Sequence, residues 1–306
     1  MSVSAKEELV ATLIAGDGAR LSTPELNEIA GFLHVSRISI LADGVAADIF
    51  FTGLSVQDSY TLLKKVIGQK PFDVFVQIAA HRRKQLLIAD MESTIIEQEM
   101  LDELAALIGI GQKVANITRR AMNGEIDFAQ ALRERVSLLQ GKPAHLLADV
   151  TKTITDTPGA EALVATMKAH GAQCWLVSGG FIFFVKSVAE RLGFDRFHAN
   201  DLIVRDNTLT GEVLEPILDK NSKKDFLDKA CAELKLPLSR TLTVGDGAND
   251  VPMLAACNLG NGLGVAFQAK PSVRAVIPHQ INYGDLTALL YAQGYKRDEF
   301  ISSSRT

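Results

Sequence analysis

Three short runs of unbroken apolar residues, each closed by a small or acidic polar residue, constrain this chain more than any other feature. Leu86–Ala89 runs into Asp90, Cys174–Val177 into Ser178, and Leu242–Val244 into Gly245-Asp246. A strand with one wet face alternates apolar and polar residues. An unalternated strand is covered on both faces, as in a parallel sheet between helices. The stretches between the runs carry apolar residues at helical spacing, so the pattern predicts an α/β, Rossmann-like core with a parallel sheet. Ligands of such sheets bind at the carboxyl ends of the strands. The three polar residues fall there.

The chain has 306 residues, and at roughly 150 residues per domain a second unit is expected. Residues 1–80 read as that unit. Leu9–Ala15 is strand-like, and Thr23-Pro24-Glu25 opens a helix with a cap, a proline and an early acid. Ser36–Leu41 and Ala46–Phe51 pair around Asp43-Gly44, Val56–Ile67 is helical up to Gly68, and Phe72–Ile78 is a strand. The order βαββαβ is that of a ferredoxin-like (ACT-like) α+β module, used in regulation or in pairing two copies as a homodimer. His81-Arg82-Arg83-Lys84 reads as a solvated linker into a core over 85–296.

Between the first two runs lies a helical insertion, about 97–155, expected to cap the strand ends. Its segments are Glu97–Leu107, Gln112–Met122, Phe128–Leu139 and Ala144–Ile154, broken at Gly109, Gly124 and Gly141-Lys142-Pro143. Leu202–Arg205 and Leu209–Leu214 flank Asp206-Asn207 as a hairpin. Gly260-x-Gly262-x-Gly264 lacks the helix and acid-ended strand of a dinucleotide fingerprint and reads as a loop.

Composition narrows the function. A formal charge of −4 argues against a broad nucleic-acid surface. No apolar run reaches the roughly 20 residues of a membrane helix, and Met1–Lys6 lacks the basic start of an export signal. Three scattered cysteines with no CxxC pair fit a reducing compartment, so a cytoplasmic protein acting on a small molecule is expected.

The chemistry gathers at the strand ends. In Asp90-Met91-Glu92-Ser93-Thr94, two carboxylates stand two positions apart just past a buried strand. One can attack phosphorus and the other can pass protons; taken alone, the pair reads equally as surface acids. Gly245-Asp246-Gly247-Ala248-Asn249-Asp250 adds Asp246 and Asp250, with glycines that let the backbone come close. So many acids bind a phosphate dianion only through a cation, and hard oxygen ligands suit Mg²⁺. Ser178-Gly179-Gly180 offers a hydroxyl and amides to phosphate oxygens, and Lys223, opening the helix Ser222–Leu234, offers a cation.

In this order the segments resemble the haloacid dehalogenase-like (HAD) superfamily, and within it the phosphoserine phosphatases. The likeness runs from about Leu86 to Leu290. It takes in the four segments above and, in the cap, Glu97-Gln98-Glu99, Leu101-Asp102-Glu103-Leu104-Ala105 and Arg133-Glu134-Arg135-Val136. The resemblance implies that Asp90 is the nucleophile, forming an aspartyl-phosphate, and Glu92 the general acid/base. It implies that Asp90, the Glu92 main-chain carbonyl and Asp246 hold Mg²⁺, with Asp250 beside them. Ser178, Gly179, Lys223 and Asn249 are implied to bind the phosphoryl group. Glu99 is implied to meet the substrate ammonium and Arg135 its carboxylate, while Met122 and Phe128 line the pocket. The implied reaction is Mg²⁺-dependent hydrolysis of O-phospho-L-serine to L-serine and phosphate, the last step of serine biosynthesis. Glu92 departs from the commonest pattern, which has aspartate there. A related phosphotransferase that moves phosphate from phosphoserine to homoserine also has glutamate and is the alternative reading, whereas Ser93-Thr94 resembles the phosphatase.

Overall fold

The structure is a computed structural model that describes residues 7–122 and 124–301, the Met122 side chain excepted. The first unit runs β1 (Leu9–Ala15), α1 (Thr23–Ala30), β2 (His34–Ala42), β3 (Ala46–Thr52), α2 (Val56–Ile67) and β4 (Phe72–Ile78), in an antiparallel sheet ordered β2-β3-β1-β4. Ser22 caps α1 and Glu25 reaches back to it, closing a capping box. Strand side chains alternate between faces. Leu9, Ala11, Leu13 and Ala15 pack with Leu26, Ile29 and Leu63 of the helices, while Ile14 and Phe75 join the core of the second unit. Both faces are therefore covered, and β1 is buried throughout.

The basic run expected to be a solvated connector is instead anchored. Arg82 pairs with the fully buried Asp48 at 2.5 Å, Arg83 with Glu299 at 2.6 Å, and Lys84 Nζ donates to the Ser239 carbonyl at 2.9 Å. The linker is thereby tied to the first unit through Asp48 and to the second through Glu299 and Ser239.

The second unit opens with β5 (Leu86–Ala89), and the cap follows as α3 (Met100–Leu107), α4 (Gly111–Met122), α5 (Phe128–Ser137) and α6 (His145–Thr151). The first cap helix starts later than its apolar pattern suggests. The Glu97 N–H is spent on the Thr155 carbonyl, where the two strands of chain entering and leaving the cap pair briefly at Ile96 and Asp156. The core then continues as α7 (Ala160–Ala169), β6 (Gln173–Phe181), α8 (Ile182–Leu192), β7 (Arg196–Asn200), the ribbon β8 (Leu202–Arg205) and β9 (Thr208–Val213), α9 (Ser222–Leu234) and β10 (Thr241–Gly245). It closes with α10 (Val251–Leu259), β11 (Leu263–Phe267), α11 (Pro271–Arg274), β12 (His279–Ile281) and α12 (Ala288–Ala292). The ribbon belongs to the cap: Gly141 donates to Leu209, Leu209 to Lys142, and Ala144 to Asn207. The cap is thus not purely helical.

Six parallel strands stand in the order β12-β11-β10-β5-β6-β7. From β5 the chain builds outward through β6 and β7, then returns to the opposite side of β5 with β10. That reversal leaves a crevice at the carboxyl ends of β5 and β10. Gly264 lies inside β11 rather than in a loop; a Cβ there would meet the Leu254 carbonyl oxygen at 2.2 Å, so glycine lets α10 settle on the sheet. Among the described residues no helix is long and apolar enough to cross a membrane.

Candidate active site

Asp90 and Asp246 are brought together by the register of β5 and β10. Ala89 lies opposite Val244, and the Asp90 N–H donates to the Val244 carbonyl at 3.0 Å. Asp250 joins them from the N-cap of α10, and carboxylate oxygens of the three lie within 4.8 Å of one another, all buried. Lys223, at the start of α9, sits between two of them: its Nζ is 2.7 Å from Asp90 Oδ1 and 2.5 Å from Asp250 Oδ1. Burial pulls the Lys223 pKa down, but the Asp250 and Asp90 carboxylates outweigh it and hold the ammonium charged. Three carboxylates against one buried ammonium leave two surplus negative charges, the charge of one divalent cation. Lys270 lies 3.5 Å from Asp246 but is 57% exposed, where water screens it.

Asp90 and Asp246 are the two acids on which this crowding and burial tell. Burial raises the Asp90 pKa well above the carboxylate range and Asp250 raises it further, against Lys223. Burial likewise pushes Asp246 up to about 6, opposed by Lys270. An all-oxygen, buried, over-acidic cluster is the donor set of a hard divalent cation. The three acids are not equivalent within it. Asp250 is fully engaged, Oδ1 by Lys223 and Oδ2 by the Gly247 N–H at 2.9 Å. On Asp90, Oδ1 accepts from the Met91 N–H at 2.8 Å and from Lys223, which leaves Oδ2 without a hydrogen-bond partner among the described residues.

Glu92 stands apart from this cluster. Its Oε1 accepts the N–H of Met100 at 2.8 Å, the first residue of α3. Burial, followed by the nearby Glu99 carboxylate, pushes its pKa up to about 7. A carboxyl group poised there exchanges a proton near neutrality in either direction.

The pocket beside these acids is made where β6 departs from regular pairing. Its ladder with β7 is irregular between Val177 and Phe181, which frees Ser178 and Gly179 from the sheet. Ser178 Oγ accepts from the Gly180 N–H at 2.9 Å, so its own hydrogen remains to donate. Phe128, Ser178, Gly179, Lys223 and Asn249 all line this pocket. Arg135 is half-buried on α5; burial lowers its pKa, and Asp102, Glu92 and Glu99 oppose the shift. Glu99 is exposed at the start of α3 and accepts from Ser93 Oγ at 2.8 Å. Met122 ends α4, and its side chain, expected as a pocket wall, lies outside the described residues.

Some contributors were missed by sequence reasoning. Leu218, Asp219 and Ser222 also line the pocket, and the buried Asn200 ties it together. Asn200 Nδ2 donates to the Gly179 carbonyl at 2.8 Å and its Oδ1 accepts from Leu218 at 2.7 Å. Asn200 ends β7 as Asp90 ends β5, but Arg196–Asn200 is not an apolar run and gave no strand-end signal.

With this geometry in hand the chain can be placed among known proteins. It matches the haloacid dehalogenase-like hydrolase family over residues 87–255 and belongs to that family. The relatives it resembles there are phosphoserine phosphatases. That of Lactococcus lactis subsp. lactis (strain IL1403) is 44% identical over 207 residues, 68% of this chain and 94% of the relative. Phosphoserine phosphatase SerB2 of Mycobacterium tuberculosis (strain ATCC 25618 / H37Rv) is 38% identical over 239 residues, 78% of this chain; the chain spans only 58% of that longer relative. A solved structure described as a phospho-aspartyl intermediate analogue of phosphoserine phosphatase superposes with a TM-score of 0.62 at 39% identity, covering 68% of this chain and 98% of the other. The chain is accordingly a phosphatase of this family.

Proposed function

We propose that this phosphatase hydrolyses O-phospho-L-serine to L-serine and phosphate through an aspartyl-phosphate on Asp90, with Mg²⁺ as its cation. The observation that carries the reading is Lys223, held between Asp90 and Asp250 at the mouth of the Ser178–Gly179–Asn249 pocket. That arrangement supports a reading in which the Asp90 carboxylate and a fixed cation meet an entering phosphoryl group. The names of the relatives and the opposed charges of Glu99 and Arg135 near Glu92 support a zwitterionic phosphate ester as substrate.

In the first step Asp90 Oδ2 forms a bond to phosphorus as the bond to the serine oxygen breaks, and Glu92 gives its proton to that leaving oxygen. In the second, water attacks the acyl-phosphate, Glu92 takes back a proton, and phosphate leaves with Asp90 restored. Lys223, Ser178 Oγ, the Gly179 N–H and Asn249 bind the phosphoryl oxygens throughout. Asp90, the Glu92 main-chain carbonyl and Asp246 would hold Mg²⁺, which would supply neutralising charge there. Glu99 and Arg135 orient the ammonium and carboxylate. On this reading the enzyme is cytoplasmic and completes serine biosynthesis.

The test is phosphate release from phosphoserine by Asp90→Asn, which is expected to stop while the circular dichroism spectrum stays that of the parent. Undiminished turnover would reject the reading. Transfer of the phosphate to added homoserine, at the expense of free phosphate, would replace hydrolysis by the phosphotransferase reaction.

A further inference from the structure

Ser93 occupies an uncommon backbone conformation. Its φ is +54°, in the left-handed region where a side chain costs energy and glycine does not. The turn around it is tight: the N–H groups of Ile95 and Ile96 both converge on the Met91 carbonyl, at 2.8 and 2.9 Å. Glycine would satisfy this turn without strain, yet a serine is there, and its hydroxyl is used. Ser93 Oγ donates to Glu99 Oε1 at 2.8 Å, across from the nucleophile loop to the residue that caps α3. Strain retained at a residue whose side chain makes one directed contact is an outlier from which a role for that contact can be inferred. The Glu99 carboxylate is otherwise exposed, on a long side chain.

We propose that Ser93 is a positioning residue for substrate specificity, holding the Glu99 carboxylate toward the pocket so that it receives the ammonium group of an amino-acid phosphate ester. This rests on the reading of Glu99 given above. A hydrogen bond to a carboxylate restrains it only in one geometry, so its loss weakens ammonium recognition and spares the phosphoryl chemistry at Asp90.

The experiment compares kcat/KM for phosphoserine with kcat/KM for the phosphate monoester of 3-hydroxypropanoate, the same ester without its ammonium. In Ser93→Gly and Ser93→Ala the ratio of the two is expected to fall roughly 5- to 20-fold, carried by KM for phosphoserine. In Glu99→Gln it is expected to fall at least as far, and adding Ser93→Gly to Glu99→Gln is expected to lower it no further. Ser93→Gly removes strain, so its thermal midpoint should not drop and misfolding does not obscure the result. A ratio unchanged in Ser93→Gly while Glu99→Gln collapses it overturns the proposal and leaves the reading of Glu99 standing. A ratio unchanged in Glu99→Gln overturns both. Loss in Ser93→Gly but not in Ser93→Ala would assign the effect to the backbone and also overturn the proposal.

Discussion

The carboxyl group of Glu92 fills the space that a side chain on Gly180 would take. A Cβ at Gly180 would lie 2.7 Å from Glu92 Oε2 and 3.1 Å from its Cδ and Oε1. The extra methylene of glutamate, compared with aspartate, thus has room because the facing strand carries no side chain.

Gly180→Ala tests that fit. Gly180 is not among the glycines of positive φ, so alanine meets only the contact and no backbone strain. The acid must move by a substantial part of an ångström or leave its bond to Met100. A displacement of that size costs roughly 10²-fold in rate. The expected outcome is a kcat lowered by about that factor with an unchanged far-ultraviolet spectrum. A kcat within about twofold of the parent would mean that Glu92 tolerates misplacement.

Glu92 also sets a pH dependence. Its folded pKa of about 7 lies above the ordinary 4.5, chiefly because burial disfavours the charge. Between those values the folded chain holds a proton that the unfolded chain has lost, so stability falls as pH rises across the window. Glu92→Gln removes the cost of burying the charge while an amide oxygen still accepts from Met100. In metal-free buffer this variant should melt at the parent's temperature near pH 4 and above it at pH 8, and it should be inactive at both. A gap between the two melting curves that does not widen with pH would refute this account.

Asp246→Asn addresses the metal. Asp246 is raised from the ordinary 3.8 to about 6 by burial, with Lys270 opposing, so stability falls as pH rises between those values. Without divalent ions the variant should be more stable than the parent at pH 8 and indistinguishable from it only near pH 3.5, below the ordinary aspartate value. With Mg²⁺ at about a hundred times its dissociation constant, the parent should gain about 2.7 kcal/mol and the variant far less. Equal Mg²⁺-induced shifts in thermal midpoint would remove Asp246 from the cation's ligands.

What could be read from the sequence, and what could not, follows from how far each signal reaches. Leu86–Ala89 with Asp90 and Leu242–Val244 with Asp246 were legible because a strand buried on both faces must be apolar, and a strand end must return to polarity. The N-terminal βαββαβ order was legible because each element carries its own turn or cap, such as Ser22 with Glu25. Arg82 and Lys84 were not, since nothing local to a basic run shows that Asp48 and the Ser239 carbonyl will meet it. Asn200 escaped for the same reason: its partners, Gly179 and Leu218, are contributed by other elements. The strain at Ser93 is a property of φ, which only coordinates supply.

Asp73 makes several of the hydrogen bonds that attach the N-terminal unit. Asp73, only 2% exposed on β4, accepts three successive backbone N–H groups from the loop after β12: Asn282 at 2.8 Å, Tyr283 at 3.2 Å and Gly284 at 3.0 Å. Asp73→Ala would leave those donors without their acceptor, each costing about 1–3 kcal/mol where water cannot replace it. Some relaxation is open to the loop, so a total loss of about 3–5 kcal/mol is expected, read as a lower urea midpoint. Asp73→Asn keeps one acceptor oxygen and should fall between. The strand β12 stands three places from β5 in the sheet, so kcat at temperatures where the variant is folded should match the parent. Proteolysis should then cut within 79–84 in Asp73→Ala well before it cuts the parent, because the linker is protected only while the two units are docked. Cleavage at parental rates, with a lowered urea midpoint, would show that Asp73 stabilises the loop after β12 alone and that Arg82 and Lys84 suffice to hold the units together.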